Sequence, residues 1–189
     1  FHKGQPRPGR LRWAILGASV AALAAGLVFW LPDALRSHVT GLVPKLNRVV
    51  IGHDVINHLE RTTGATCSED IANGALKKLA SYLDVSEIIV VPGGIKQTAS
   101  LPGPALIVGR SIVEDYDDPA AAIGFMVAEA LDAKLADPLE RILLFGGLPA
   151  SFRLLTSGQL APETLESYAE HLARTSVEPV PMELLAGQF

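Results

Sequence analysis

The chain has 189 residues, enough for one ordinary domain with a short appendage, and hydrophobic residues make up 49% of it. Its formal charge is −4 and its mean hydropathy is +0.30, which is high for a soluble protein of this size. The negative charge argues against nucleic acid as a partner, because neutralising phosphates requires a basic surface.

An uncharged apolar run extends from Trp13 to Leu31 and predicts a transmembrane helix. At about 1.5 Å per residue, the run nearly matches the roughly 30 Å hydrocarbon layer of a bilayer. Trp13 and Trp30, the only two tryptophans, lie at its ends, where their amphipathic rings favour the membrane interface. A signal peptide is the nearest alternative, but Trp30-Leu31-Pro32 is a poor cleavage site. We therefore expect an uncleaved, single-pass anchor.

The charges around this run predict its orientation. The preceding residues include four basic side chains and no acidic one, and positive flanks stay in the cytoplasm. Subtracting this +4 flank from the total of −4 leaves −8 for the rest, which is expected in the periplasm of a bacterium, outside its inner membrane. The predicted organisation is a basic cytoplasmic flank at 1–12, a transmembrane helix at 13–31, a juxtamembrane connector at 32–45 and a periplasmic domain at 46–189.

Small side chains line one face of the predicted membrane helix. Gly17, Ala21 and Ala25 follow one another at a spacing of four residues, which lets a second helix approach closely. This stripe predicts a contact with another membrane-protein helix or with a larger membrane complex. The alternative, that alanine is only a good apolar helix filler, remains open.

The rest of the chain is predicted to be α+β: mostly helical, with a small antiparallel sheet. Apolar residues recur with the period of a helix in some segments, and short β-branched runs indicate strands in others. Glycines at 146, 147 and 158 are expected to interrupt a further stretch. The predicted helices are 47–63, 68–83, 118–136 and one beginning at Pro162, and the predicted strands are 86–92 and 105–108, with an extended segment at 99–102 between them.

Residues typical of catalysis are sparse. His53 and His58 are five apart and fall on different helix faces, whereas a helical zinc pair needs a spacing of four. The sequence has no G-x-S-x-G motif, no Gly-rich phosphate loop and no pair of cysteines. The single cysteine, Cys67, is expected to be a small buried apolar residue. Read alone, these residues show no catalytic constellation.

The order of several short segments is more informative than any one of them. In chain order they are Cys67, ALKKL at 75–79, IIVV at 88–91, QTASLPG at 97–103, LIV at 106–108, SIVE at 111–114, DPAAAI at 118–123 and FMVAEALD at 125–132. This order resembles metallopeptidase family M forty-eight over residues 46 to about 145. The resemblance implies a zincin-like fold.

The resemblance also implies that the zinc site is degenerate. Ala128 and Asp132 stand where the family has the two histidines of H-E-x-x-H, and Pro162 stands at its glutamate ligand. Only Glu129, at the position of the family's general base, matches. Zinc catalysis needs three protein ligands and an open fourth position, so no metal, no cofactor and no catalytic residue are expected.

The expected function is therefore that of a membrane-anchored pseudopeptidase, which serves as an interaction or structural subunit of a membrane-protein assembly in contact with the lipid bilayer. In the family, a substrate strand pairs with the sheet edge at the corresponding segment. The resemblance thus implies that Gln97, Ala99 and Leu101 bind a partner by β-augmentation.

Two questions about the remnant site stay open at the level of sequence. Glu129 is expected to be either exposed or paired with a base such as Lys134 or Arg141. The alternative function is an active zinc-dependent endopeptidase of envelope protein quality control, with Asp132, Glu163 and a histidine as an unusual ligand set.

Overall fold

A computed structural model describes residues 9–29, 40–95 and 97–175, with side chains of the first helix described from 13 to 26. The elements are α1 Gly9–Phe29, α2 Lys45–Thr63, α3 Asp70–Leu83, β1 Glu87–Val91, β2 Thr98–Leu101, β3 Ala105–Gly109, α4 Arg110–Glu114, α5 Pro119–Leu135, α6 Pro138–Ser157 and α7 Pro162–Arg174.

The prediction of a transmembrane helix at 13–31 is wrong, because no helix within the described residues is long and apolar enough to cross a membrane. Helix α1 contains Arg10 and Arg12 near its start and ends at Phe29, so its uncharged part begins at Trp13. At about 1.5 Å per residue this part spans about 25 Å, which is shorter than the roughly 30 Å hydrocarbon layer. The predicted single-pass topology and inner-membrane location are overturned with it.

The small-residue stripe lies on this helix. The described side chains of α1 from 13 to 26 are all exposed, Ala21 and Ala25 among them, and a Cβ placed on Gly17 would meet no atom within 4 Å. A helical partner for the stripe stays a prediction. Most of the connector expected at 32–45, the basic flank up to residue 8 and the last residues of the chain lie outside the described residues.

The sheet has three strands in the order β1-β3-β2, and it is mixed rather than antiparallel as predicted. Strand β3 pairs with β2 as an antiparallel hairpin, with Leu101 opposite Ala105, and with β1 in parallel, with Glu87 also opposite Ala105. The hairpin turn keeps β2 next to β3, and β1 joins on the free side of β3, which leaves β2 at an edge of the sheet. The zincin-like description of the fold stays untested.

A helical layer covers each face of the sheet, and the alternation of side chains along β3 explains why. Ala105 and Ile107 face a core shared with α2, α6 and α7, whereas Leu106 and Val108 face a second core shared with α3, α4 and α5. Every residue of β3 is buried, which accounts for its continuous apolar sequence. Helix α4, which the sequence analysis did not predict, lies directly after this strand.

Two acidic caps and a kink position the helices that follow. Asp118 and Asp137 each accept a hydrogen bond from a backbone N–H in the first turn of α5 and α6, and each precedes a proline. Helix α6 is interrupted at Gly147 (φ 67°, ψ −159°), which confirms the break expected at the glycine pair.

Cys67 is exposed, so the prediction that it is buried is wrong. It precedes α3 in a segment joined to β1 through a backbone hydrogen bond rather than through its side chain.

Candidate functional site

Glu129 lies on α5 and is only 3% exposed. Its Oε1 atom accepts hydrogen bonds from the backbone N–H of Ser100, at 2.9 Å, and from the Ser100 hydroxyl, at 2.8 Å. Strand β2 is at the edge of the sheet, and the Ser100 N–H points away from β3. The carboxylate therefore satisfies a backbone donor that the sheet leaves unpaired.

Arg141 approaches the same carboxylate from α6. Its Nη1 lies 3.3 Å from Glu129 Oε1, and its Nη2 lies 2.6 Å from Asp132 Oδ2. Glu129 and Asp132 are three residues apart on α5 and so share one helix face. The chain reverses between α5 and α6, which brings Arg141 across this face. The exposed alternative for Glu129 is wrong, and pairing with Arg141 is confirmed; Lys134 pairs with Asp84 instead.

A cavity of about 500 Å³ opens beside this network. Glu129, Arg141 and Ser100 line one side of it, and Tyr168 and His171 of α7 line another. The Tyr168 side chain is 4% exposed, and burial raises its pKa to about 12; the nearby Arg141 charge lowers this pKa and the Glu129 charge raises it. The cavity thus combines a buried carboxylate with a neutral phenol and an imidazole.

The apolar wall of the cavity is largely aromatic. The ring centroid of Phe145 lies 5.5 Å from that of Tyr168, in an edge-on arrangement, and 5.1 Å from that of His171. Leu144 and Leu172 complete this wall. An apolar wall with a few convergent polar groups is the usual composition of a small-molecule site.

The structure brings together only part of the predicted degenerate metal site. Glu129 and Asp132 meet at Arg141, and Ala128 is half-buried on the same helix. Pro162 begins α7 and lines a different cavity, and the neighbouring Glu163 is exposed. Within the described ranges, no group of three or more His, Cys, Asp or Glu side chains is placed to hold a metal ion. The absence of zinc stays a prediction.

Of the residues predicted to bind a partner strand, Ala99 and Leu101 belong to the edge strand β2, and Gln97 directly precedes it. Ala99 and Leu101 are buried, and the backbone carbonyl of Gln97 accepts a hydrogen bond from Gly109 N at 2.7 Å. An added strand would have to displace Glu129 from the Ser100 N–H. β-augmentation at this edge stays a prediction.

Another cavity, of about 480 Å³, lies between α2 and the α6–α7 connection. Asp54 and His58 of α2 and Arg153 of α6 line it. His58 Nδ1 is buried without a hydrogen-bond partner among the described residues, although the side chain as a whole is only half-buried. Because no carboxylate there is buried as deeply as Glu129, the Glu129 cavity is the better candidate site.

Sequence reasoning missed Ser100, Tyr168 and His171 as members of the site. The available signal was the spacing of three between Tyr168 and His171, which places both rings on one face of the last helix.

A scan against protein-family models and a search of curated proteins both found no match for this chain.

Proposed function

We propose that this domain is a catalytically inactive peptidase-like module that acts by binding rather than by cleaving. The observation that carries the proposal is the guanidinium of Arg141, which lies between Glu129 and Asp132. These two side chains stand at the general-base and second-ligand positions of the family that the sequence resembles. The cation facing them is a side chain of the protein.

Electrostatics favour this reading over a zinc site. Two unit charges about 4 Å apart interact by about 4 kcal/mol near a protein surface, so Arg141 would repel a divalent ion beside it by about twice that amount and offset the attraction of one of the two carboxylates. Glu129 Oε1 already accepts hydrogen bonds from three donors, two from Ser100 and one from Arg141. A general base of this kind acts on a metal-polarised water, and no group of three or more His, Cys, Asp or Glu side chains among the described residues is placed to hold such a metal.

An exposed apolar face supports a binding role. Leu148, Phe152 and Leu155 of α6 follow the break at Gly147 at helical spacing, and each is between 41% and 65% exposed although all three are large aliphatic or aromatic residues. Leu144, on the other side of this break, is 52% exposed and lines the Glu129 cavity. Adjoining exposed apolar residues of this kind are typical of interaction surfaces.

The test is metal content and proteolysis of the purified full chain. We expect well under one zinc per chain by elemental analysis, and casein cleavage at background with or without added zinc. Stoichiometric zinc, with cleavage lost in Glu129→Gln and kept in Glu166→Gln, would instead establish the active endopeptidase. Glu166 is the matched control because it is an exposed glutamate of α7.

A further inference from the structure

We propose that the Glu129 cavity binds a small organic ammonium ion: a primary ammonium group on an apolar, preferably aromatic, body. The proposal rests on the non-catalytic function argued above and names the ligand class of the same site. The cavity, at about 500 Å³, is within the usual range of small-molecule pockets, about 300–1,000 Å³.

The distribution of charge points to a cationic ligand. Glu129 and Asp132 carry two negative charges and Arg141 carries one positive charge, so the three together are −1. Arg141 lies closer to Asp132, at 2.6 Å, than to Glu129, at 3.3 Å. The guanidinium therefore compensates Asp132 more completely, and the more deeply buried Glu129 keeps the larger part of the uncompensated charge.

One oxygen of Glu129 is available to a ligand. All of its hydrogen bonds with the described residues go to Oε1, and Oε2 accepts none of them. The carboxylate lines the cavity although the residue is only 3% exposed. An ammonium group entering the cavity would donate to Oε2 and form a charge-assisted hydrogen bond.

The aromatic and aliphatic residues that line the cavity suit the body of such a ligand. Phe145 and Tyr168 present aromatic rings, and Leu144 and Leu172 present aliphatic side chains. Aromatic faces attract cations in addition to packing against apolar groups. An aromatic amine would therefore gain contacts at both of its ends.

Other ligand charges fit less well. An anion would meet Glu129, and the Arg141 donors that face the cavity are already shared among Glu129, Ser100 and Asp132. A neutral ligand of the same shape would bury the carboxylate further without adding a countercharge, which is costly. The order expected is ammonium, then neutral, then anion.

The experiment is calorimetric titration of the full chain at pH 7 with three probes of one shape. These are phenethylammonium, 2-phenylethanol and 3-phenylpropanoate. We expect saturable one-to-one binding of phenethylammonium, at least tenfold tighter than the alcohol, and still weaker binding of the carboxylate. Equal or tighter binding of either other probe, or no saturable binding of the ammonium at millimolar concentration, would overturn the proposal.

Two variants place the binding in this cavity. Leu144→Lys adds a positive charge at the rim and should weaken phenethylammonium binding at least fivefold, whereas Leu155→Lys, on the same helix but outside the cavity, should leave it unchanged. Glu129→Gln should abolish the preference for ammonium over alcohol. If circular dichroism shows that Glu129→Gln is unfolded, the pair of lysine variants decides; equal effects of the two would refute the assigned site.

Zinc content of the same samples separates the two proposals. Zinc-free protein that does not bind the amine refutes the ligand assignment alone. Stoichiometric zinc with proteolysis refutes the proposed function, whichever probe binds.

Discussion

Arg141→Met tests whether the charge network holds the domain together. The substitution keeps a long, flexible side chain but leaves Glu129, at 3% exposure, without its countercharge. Breaking a buried ion pair by removing one partner costs about 3–5 kcal/mol. Arg141 is 27% exposed and Glu129 keeps its two Ser100 hydrogen bonds, so we expect the lower end, about 3 kcal/mol. Since domains are stable by only about 5–15 kcal/mol, this loss would be large.

The assay is urea denaturation followed by circular dichroism, with the slope m checked for constancy. Arg153→Met is the matched control, because Arg153 is an exposed arginine of the same helix and should cost within about 0.5 kcal/mol of zero. In a Glu129→Gln background, Arg141→Met should cost at least about 1 kcal/mol less than in the wild-type chain, since the two side chains are in contact.

A cost of Arg141→Met equal to that of Arg153→Met would contradict the reasoning. So would strict additivity with Glu129→Gln, because it would mean that the pair at 3.3 Å contributes no coupling energy.

Three further predictions concern the frame around the site. Gly103→Ala should lower the free energy of unfolding, measured by chemical denaturation, by at least about 2 kcal/mol more than Gly64→Ala. Both glycines have positive φ, but a Cβ at Gly103 would lie 2.6 Å from a backbone atom of α2, whereas a Cβ at Gly64 would meet only a side chain at 3.5 Å. Asp137→Ala should lower the free energy of unfolding by about 1 kcal/mol more than Asp118→Ala in the same assay, since both cap a helix but, among the described residues, only Asp137 also pairs with an arginine, at 2.7 Å. Equal losses in the two variants would show that this ion pair contributes nothing. In a spectrophotometric titration, one of the three tyrosines should ionise near pH 12, and Tyr168→Phe should remove that step. Because its folded pKa exceeds the unfolded value of about 10, the stabilisation linked to Tyr168 is complete below pH 10 and is lost as the pH rises towards 12; a stability that stays flat between these values would contradict the assignment.

Local signals in the sequence predicted much of the secondary structure. Asp118-Pro119 combines a capping side chain with a residue suited to the first helical turn, and α5 begins there as predicted. The β-branched run before Pro92 forms β1, because β-branched side chains favour strands. Helix α4 has only five residues, too few to show a helical period, and it was missed.

Properties that depend on distant contacts were harder to predict. The parallel pairing of β1 with β3 depends on which side of the hairpin β1 joins, and no local pattern encodes that. Cys67 illustrates the same limit: cysteines are often buried, but this one lies in a connection whose backbone, not its side chain, contacts the sheet. The transmembrane prediction failed for a different reason: it rested on the length of the apolar run 13–31, whereas helix α1 contains Arg12 before that run begins and ends at Phe29.

The candidate site could be predicted from the sequence only in part. The spacing of Glu129 and Asp132 predicts that they share a helix face, and Arg141 was one of two bases considered for Glu129. The partner from β2 could not be predicted, because Ser100 becomes a donor to Glu129 only when the edge strand packs against α5.

The hydrogen bond from the Ser100 N–H gives Glu129 a structural role that does not depend on catalysis. An edge strand leaves backbone donors unpaired, and a buried donor without an acceptor costs about 1–3 kcal/mol. Glu129 meets that requirement at Ser100, but a carboxylate buried there requires a countercharge, and Arg141 provides it. An apolar residue at 129 would remove the buried charge and leave the Ser100 N–H unsatisfied. The sheet edge therefore requires an acceptor, the acceptor requires Arg141, and the remaining uncompensated charge gives the adjoining cavity its expected preference for a cation.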